Sequence, residues 1–356
     1  MKLFECEGCG NAIYFENTHC EGCGHKLGFR SDQGTLVALE DDGAGLLRPL
    51  GEDQPFRNCA NQEAGGCNWL VPADRSEEFC AACRLNNTVP DLSNPEHRQL
   101  WRVLETGKRR LVYSLLRLGL PLRNKADDEE HGLAFDFLAD EVTGFREGPK
   151  VLTGHASGLI TINIAEADPA KREEFRQTMA EPYRTVLGHF RHEVGHYYWE
   201  LMVRDRPALA DCRALFGDET QDYGASLERH YEQGPRADWP AHYVSAYASS
   251  HPWEDWAETW AHYLHMVDSL ETAYAFGLRI RPKAGPTPDL ATAANFDPYR
   301  EPGFERIQET WLPLTFAVNS LNRSMGQADL YPFVLSQPAT DKIAFVHRLI
   351  REAETG

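Results

Sequence analysis

The chain has 356 residues, of which 42% are hydrophobic and 25% charged, with a formal net charge of −18. This is the composition of a folded chain long enough for two or three domains, and so negative a charge excludes a role built on phosphate backbones. No apolar run reaches the length of a membrane span and the start, MKLFECEGCG, has no apolar export segment, so a cytoplasmic protein with no membrane or nucleic-acid partner is expected.

Eight of the nine cysteines precede residue 84. Cys6, Cys9, Cys20 and Cys23 form two C-x-x-C knuckles, followed by Gly10 and Gly24, which permit the tight turns that aim two sulfurs at one ion. This closed four-sulfur set predicts a structural zinc. Cys59 and Cys67, with Cys80 and Cys83 in FCAAC, supply a second four-sulfur set with looser spacing in its first half. The modules are expected at residues 1–30 (zinc ribbon), 31–93 (second cysteine-rich module) and 94–356. Short polar segments of this kind cannot build a core without such staples. Cys212 stands apart and reads as a buried, uncoordinated thiol.

Beyond TVPDLSNPEH, apolar spacing predicts a helix over 95–118, ended by LGLP. Its basic run KRRLVYSLLR, 108–117, reads as a solvated helix face. GLITINIA, 158–165, alternates as a strand. Helices are expected over 182–204, opened by Pro182, and from Ser250 and Pro252 to about Leu270. PKAGPTPD, 282–289, reads as a loop, and WLPLTFAVNSLNRSMG and TDKIAFVHRLIREA as closing helices. The fold class is therefore α+β: N-terminal zinc-ribbon modules, then a mainly helical domain with a small sheet.

The chemistry centres on HEVGH, residues 192–196. Positions four apart on a helix lie one turn above each other, so His192 and His196 can grip one ion. Tyr183, Leu187, Phe190, Val194, Tyr197 and Leu201 follow the buried face, which turns both imidazoles towards a cleft. Glu193 projects beside them, placed to take a proton from water on the ion. A third ligand is needed, and SAYASSHPWEDWAETWAHYLHM supplies candidates: Glu254 and Glu258 one turn apart on a helix buried through Trp253, Trp256, Ala257, Trp260 and Leu264. His262 continues that line, and one of the two carboxylates can orient an imidazole by a hydrogen bond. His189 reads as a supporting or surface histidine.

HEVGH with the downstream EDWAE resembles the gluzincin metallopeptidases, and SAYASSHPWEDWAE is similar to the catalytic segment of anthrax lethal factor-like enzymes. That resemblance implies Glu254 as the ligand, Glu258 as its outer partner and Tyr247 as an aid to the oxyanion. Nearly the whole chain looks like bacterial zinc-binding metallopeptidases with an N-terminal zinc ribbon, through CEGCG twice, CNWL, GHASGLITINIAEAD, EPYRTVLGHFRHEVGHYYW, HPWEDWAETWAHYLH, NRSMG and DLYPF.

The expectation is zinc-dependent hydrolysis of a peptide or protein. One catalytic zinc on His192, His196 and Glu254 accompanies two structural zincs, Glu193 acts as general base, and Tyr247 or His251 serves the oxyanion. GLITINIA is placed as an edge strand on which an extended substrate can pair, with a core strand as the competing account. The alternatives are an adaptor whose ribbons recruit a protein partner, and a zinc amidohydrolase acting on small amides.

Overall fold

The computed structural model describes residues 2–43, 45–140, 142–143, 146–147, 153–178, 185–283 and 290–355. The chain divides into two compact units, Met1–Asp168 and Pro169–Gly356. The class is α+β, with a cysteine-rich zinc-ribbon region followed by a mostly helical C-terminal region.

In the first unit, β1 (Phe4–Glu5) and β2 (Ala12–Ile13) form a hairpin around the first knuckle. β3 (Lys26–Arg30), β4 (Thr35–Asp41), β5 (Leu47–Pro49), β6 (Phe56–Asn58) and β7 (Leu70–Pro72) follow as an antiparallel meander in chain order. Val37, Leu39, Leu47, Phe56 and Leu70 form the core of that sheet. Between β6 and β7 lies a single helical turn, α1 (Gln62–Gly65). β8 (Asn86–Thr88) precedes the long helix α2 (Pro95–Arg117), which Asn94 caps by accepting from the Glu96 and His97 amides. Pro95 occupies the first turn, where its missing donor costs nothing. β9 (Ala134–Leu138), the short hairpin β10 (Val142–Thr143) and β11 (Arg146–Glu147), β12 (Gly154–Ala156) and β13 (Leu159–Asn163) complete the unit.

The expected boundaries at residues 30 and 94 fall inside this unit. Phe15, Phe29, Trp69 and Tyr113 form one aromatic cluster, with ring centroids 4.9 Å apart for Phe15–Phe29, 4.6 Å for Phe29–Trp69 and 5.3 Å for Phe15–Tyr113. Asn68 Nδ2 donates to the carbonyls of Phe15 and Asn17. Both cysteine-rich segments are thus packed with α2.

Two expectations change here. The second sheet runs β12-β13-β9-β8, so GLITINIA is an interior strand: β13 pairs antiparallel with β12 and parallel with β9. Its backbone from Leu159 to Thr161 is paired on both sides, so no substrate strand can add along that stretch. The basic run of α2 is not a solvated face either. Lys108 and Arg109 are buried; Lys108 Nζ lies 2.6 Å from Glu105 Oε1 and also donates to Asn86, and Arg109 approaches Glu105 at 3.9 Å. Burial pushes the Glu105 carboxyl up, and the two cations only partly offset it. Glu105→Ala would strand Lys108 in the interior. A loss of about 3–5 kcal/mol in the stability of this unit is expected, read from urea unfolding.

The second unit is helical: α3 (Pro169–Thr178), α4 (Val186–Met202), α5 (Leu209–Phe216), α6 (Tyr223–Gln233), α7 (Trp239–His242), a 3-10 turn at Tyr247–Ser249, then α8 (Pro252–Ala275). A two-stranded hairpin, β14 (Arg279–Ile280) with β15 (Thr292–Ala293), precedes α9 (Phe304–Ser324) and α10 (Gln337–Thr355). Pro182 lies outside the described residues, as does most of the expected loop at 282–289; α4 starts after its cap Thr185, whose hydroxyl accepts from Gly188 N at 2.9 Å. Of the expected core face, Phe190, Val194 and Tyr197 are buried and Leu187 and Leu201 half-buried, while Tyr183 lies outside the described residues. α8 is the central helix, packed by α4, α5, α9, α10 and the 3-10 turn. Two of its buried acids are ion-paired: Asp255 with Lys342 at 2.6 Å, and Asp268 with Arg191 at 2.6 Å. No described helix is long and apolar enough to cross a membrane.

Candidate metal centre

Among the described residues, three groups of donors converge. At the first knuckles, Gly10 and Gly24 take the left-handed backbone expected of them, with φ of 75° and 80°, and their amides return to the carbonyls of Cys6 and Cys20. The sulfurs of Cys6 and Cys23, and of Cys9 and Cys20, lie 3.6 Å apart. Thiolates 2.3 Å from a common tetrahedral ion sit roughly 3.8 Å from one another, whereas a disulfide needs about 2.05 Å. All nine cysteines are free. Burial pushes the Cys6 thiol up to about 12, while amide and ring contacts from His25 hold Cys23 down to about 6.

The second set is also assembled, with Cys67 3.7 Å from both Cys80 and Cys83, and Cys59 accepting from Cys80 N at 3.4 Å. Its irregular spacing has a local cause. The turn α1 and Gly66, with φ of 64°, stand between Cys59 and Cys67 where a knuckle has two residues. All four sulfurs are buried, and Cys83 Sγ lies 3.6 Å from Glu105 Oε2 on α2. Cys212 is buried away from these sets, its thiol pushed up to about 12 by burial.

In the helical unit, α4 presents His192 and His196, and α8 presents Glu254 in its first turn. Their donor atoms lie within 4.8 Å of one another. His192 Nε2 is 3.0 Å from Glu254 Oε2, and His196 Nε2 is 3.6 Å from Glu254 Oε1. Nitrogen and oxygen ligands at 2.0–2.2 Å from one tetrahedral ion stand roughly 3.3–3.5 Å apart, so the trio fits a zinc ion. Glu254 is almost fully buried, and its Oε2 accepts no hydrogen bond from any described residue. Burial pushes its carboxyl up, but the charges of the His196 and His192 rings beside it outweigh this and hold it well below the ordinary range. His192 shows the converse balance: burial pushes it down, and Glu254 and Glu258 lift it well above the usual imidazole value.

The helix crossing itself is set by Gly195. A Cβ there would stand 3.1 Å from Ala257 Cα and 3.1 Å from Trp260 Cβ, so a side chain at this position would press α4 and α8 apart. Trp256 Nε1 donates to the Gly195 carbonyl at 2.8 Å and locks the register. Gly195→Val would separate the imidazoles from Glu254. Fewer zinc ions retained per chain is the expected outcome, read from metal analysis of the purified protein.

Around the trio, His192 Nδ1 lies 2.7 Å from Glu258 Oε1, and Ser245 Oγ donates to Glu258 Oε2 at 2.6 Å. A proton on Nδ1 turns the Nε2 lone pair towards Glu254. Glu193 is buried, with His189 Nε2 3.1 Å from its Oε1. Burial raises its carboxyl, and the His189 hydrogen bond with the surrounding histidine charges brings it below the ordinary value. The Tyr247 ring is 5.9 Å from that of His192. His251 caps α8: its Nδ1 accepts from Trp253 N at 3.1 Å and its Nε2 contacts the Gln221 carbonyl at 3.2 Å, which leaves it no donor for a substrate. His262 turns from the trio to Tyr331 OH, at 2.5 Å, and Phe333, both from DLYPF.

Two residues that sequence reasoning did not assign join the site. Tyr223 OH donates to Glu254 Oε1 at 2.8 Å, and Ser245 holds Glu258. Neither carries a local signal, since each is defined by a partner on another element.

The class defined by these features is a zinc-ribbon protein with a zinc-binding metallopeptidase domain. Residues 97–349 match the family described as "putative zinc-binding metallo-peptidase", and the chain belongs to that family. Residues 3–94 match a zinc-ribbon domain. Uncharacterised proteins of Mycobacterium bovis and of two Mycobacterium tuberculosis strains are each 40% identical over 353 residues, covering 99% of this chain and 96% of theirs. No solved structure matches the chain.

Proposed function

We propose that the protein is a gluzincin-like zinc metallopeptidase that hydrolyses peptide bonds between α4 and α8. The observation that carries this reading is the convergence of His192, His196 and Glu254 with the Glu193 carboxylate beside them and outside the donor trio. A structural ion has no use for a fourth residue, an uncoordinated carboxylate, at that position.

His192, His196 and Glu254 would hold the catalytic zinc, and the eight N-terminal cysteines two structural ones. The catalytic ion, when bound, supplies Lewis acidity, which acidifies water and polarises a carbonyl. Glu193 takes the proton of the attacking water and returns it to the leaving amine, which a carboxylate kept ionised by its histidine neighbours can do. Glu258 and Ser245 keep the His192 ring oriented. Tyr247, whose hydroxyl burial keeps protonated, is the donor for the developing oxyanion.

The test sets the purified protein against a peptide library and a panel of small amides. Cleavage of peptides alone supports the proposal. Turnover of small amides alone would replace it with an amidohydrolase, and zinc-loaded protein inert towards both would favour recruitment of a protein partner through the ribbons.

A further inference from the structure

Tyr223 is the first helical residue of α6, set by the cap Asp222, whose Oδ1 accepts from Ala225 N at 2.9 Å. Its ring is held edge-on by His251, at 5.3 Å, and by Trp253, at 5.9 Å. Trp253 in turn lies against His196, with centroids 4.2 Å apart. An aromatic frame thus aims one hydroxyl at Glu254.

That hydroxyl divides the carboxylate. Oε1 accepts from Tyr223 at 2.8 Å, whereas Oε2 faces His192 Nε2 and takes no hydrogen bond from any described residue. A carboxylate with two free oxygens can turn about its last torsion and chelate through both, whereas a phenol on one oxygen selects the other and fixes the carboxylate plane. Outer donors of this kind tune how tightly a ligand set holds its ion. We propose that Tyr223 is a positioning residue that holds Glu254 as a one-oxygen ligand for the ion between α4 and α8. This rests on reading Glu254 as a metal ligand. The residue is 39% exposed as a whole, and Tyr223→Phe keeps the ring that packs on His251 and Trp253.

The experiment is zinc competition with a chromogenic chelator on the full chain, comparing the wild type, Tyr223→Phe and Glu254→Ala, with thermal melting alongside. Tyr223→Phe should melt with the wild type and bind as many ions at saturating zinc, yet hold the weakest of them about 10- to 100-fold less tightly. Glu254→Ala should lose one ion. Wild-type affinity in Tyr223→Phe, with the ion lost in Glu254→Ala, would overturn the Tyr223 assignment and leave the site standing. Full zinc retention in Glu254→Ala would remove the site and this inference together. A lowered melting temperature in Tyr223→Phe, with affinity reduced equally at all sites, also overturns it, because that marks a scaffold residue.

Discussion

Glu193→Gln is expected to lower kcat on a peptide substrate by about 10²–10⁴-fold while changing KM little and leaving the zinc content intact. Glutamine matches glutamate in shape, so the buried position beside His189 stays filled and its amide oxygen can still accept from the ring 3.1 Å away. What disappears is the capacity to take a proton. Because Glu193 lies outside the trio of His192, His196 and Glu254, the ion count per chain should not move. Steady-state kinetics with metal analysis of the same preparation checks both halves. Undiminished turnover would remove the general base from the mechanism, and a lost ion would make Glu193 a ligand instead.

The second large effect concerns the buried cysteine set. Cys80→Ser should remove one zinc ion and unfold the unit spanning residues 1–168, whereas Cys9→Ser, at the exposed edge of the first set, should leave most of that unit resistant to protease. The four buried sulfurs tie β6, β7 and the turn at Cys83–Leu85 to α2 through Glu105. Structural zinc contributes roughly 10–16 kcal/mol of apparent binding free energy, more than the whole stability of most domains. Without it, the remaining thiolates would sit in the interior beside the Glu105 carboxylate, with only Lys108 and Arg109 to offset their charge. Metal analysis, thermal melting and limited proteolysis of both variants make the comparison. If Cys80→Ser melts with the wild type, the second set is a group of buried thiols and not a staple.

The legible features were those written into neighbouring residues. The helix expected over 95–118 runs from Pro95 to Arg117, because its cap and apolar period are both local. The helix expected to end near Leu270 continues to Ala275, since nothing in the following turn interrupts it. GLITINIA was readable as a strand, yet its place inside the sheet depends on β9, a partner that alternation cannot reveal. The charges of KRRLVYSLLR misled for a similar reason. A lysine and an arginine on a helix are ordinarily solvated, and only Glu105 and Asn86, gathered by the fold, make their burial tolerable.

By itself, the sequence determined the C-x-x-C turns, the one-turn stagger of His192 and His196, and the placing of Glu254 and Glu258 on one side of a helix. These follow from backbone geometry within a few residues. The tertiary structure alone decided that Glu254 meets both histidines, that Glu258 takes the far nitrogen of His192 from 66 residues away, and that Tyr223 reaches Glu254 across 31. Such meetings hang on the close crossing of α4 and α8 at Gly195 and on the docking of α6, and packing of that kind is a property of the whole unit that no short window of residues contains.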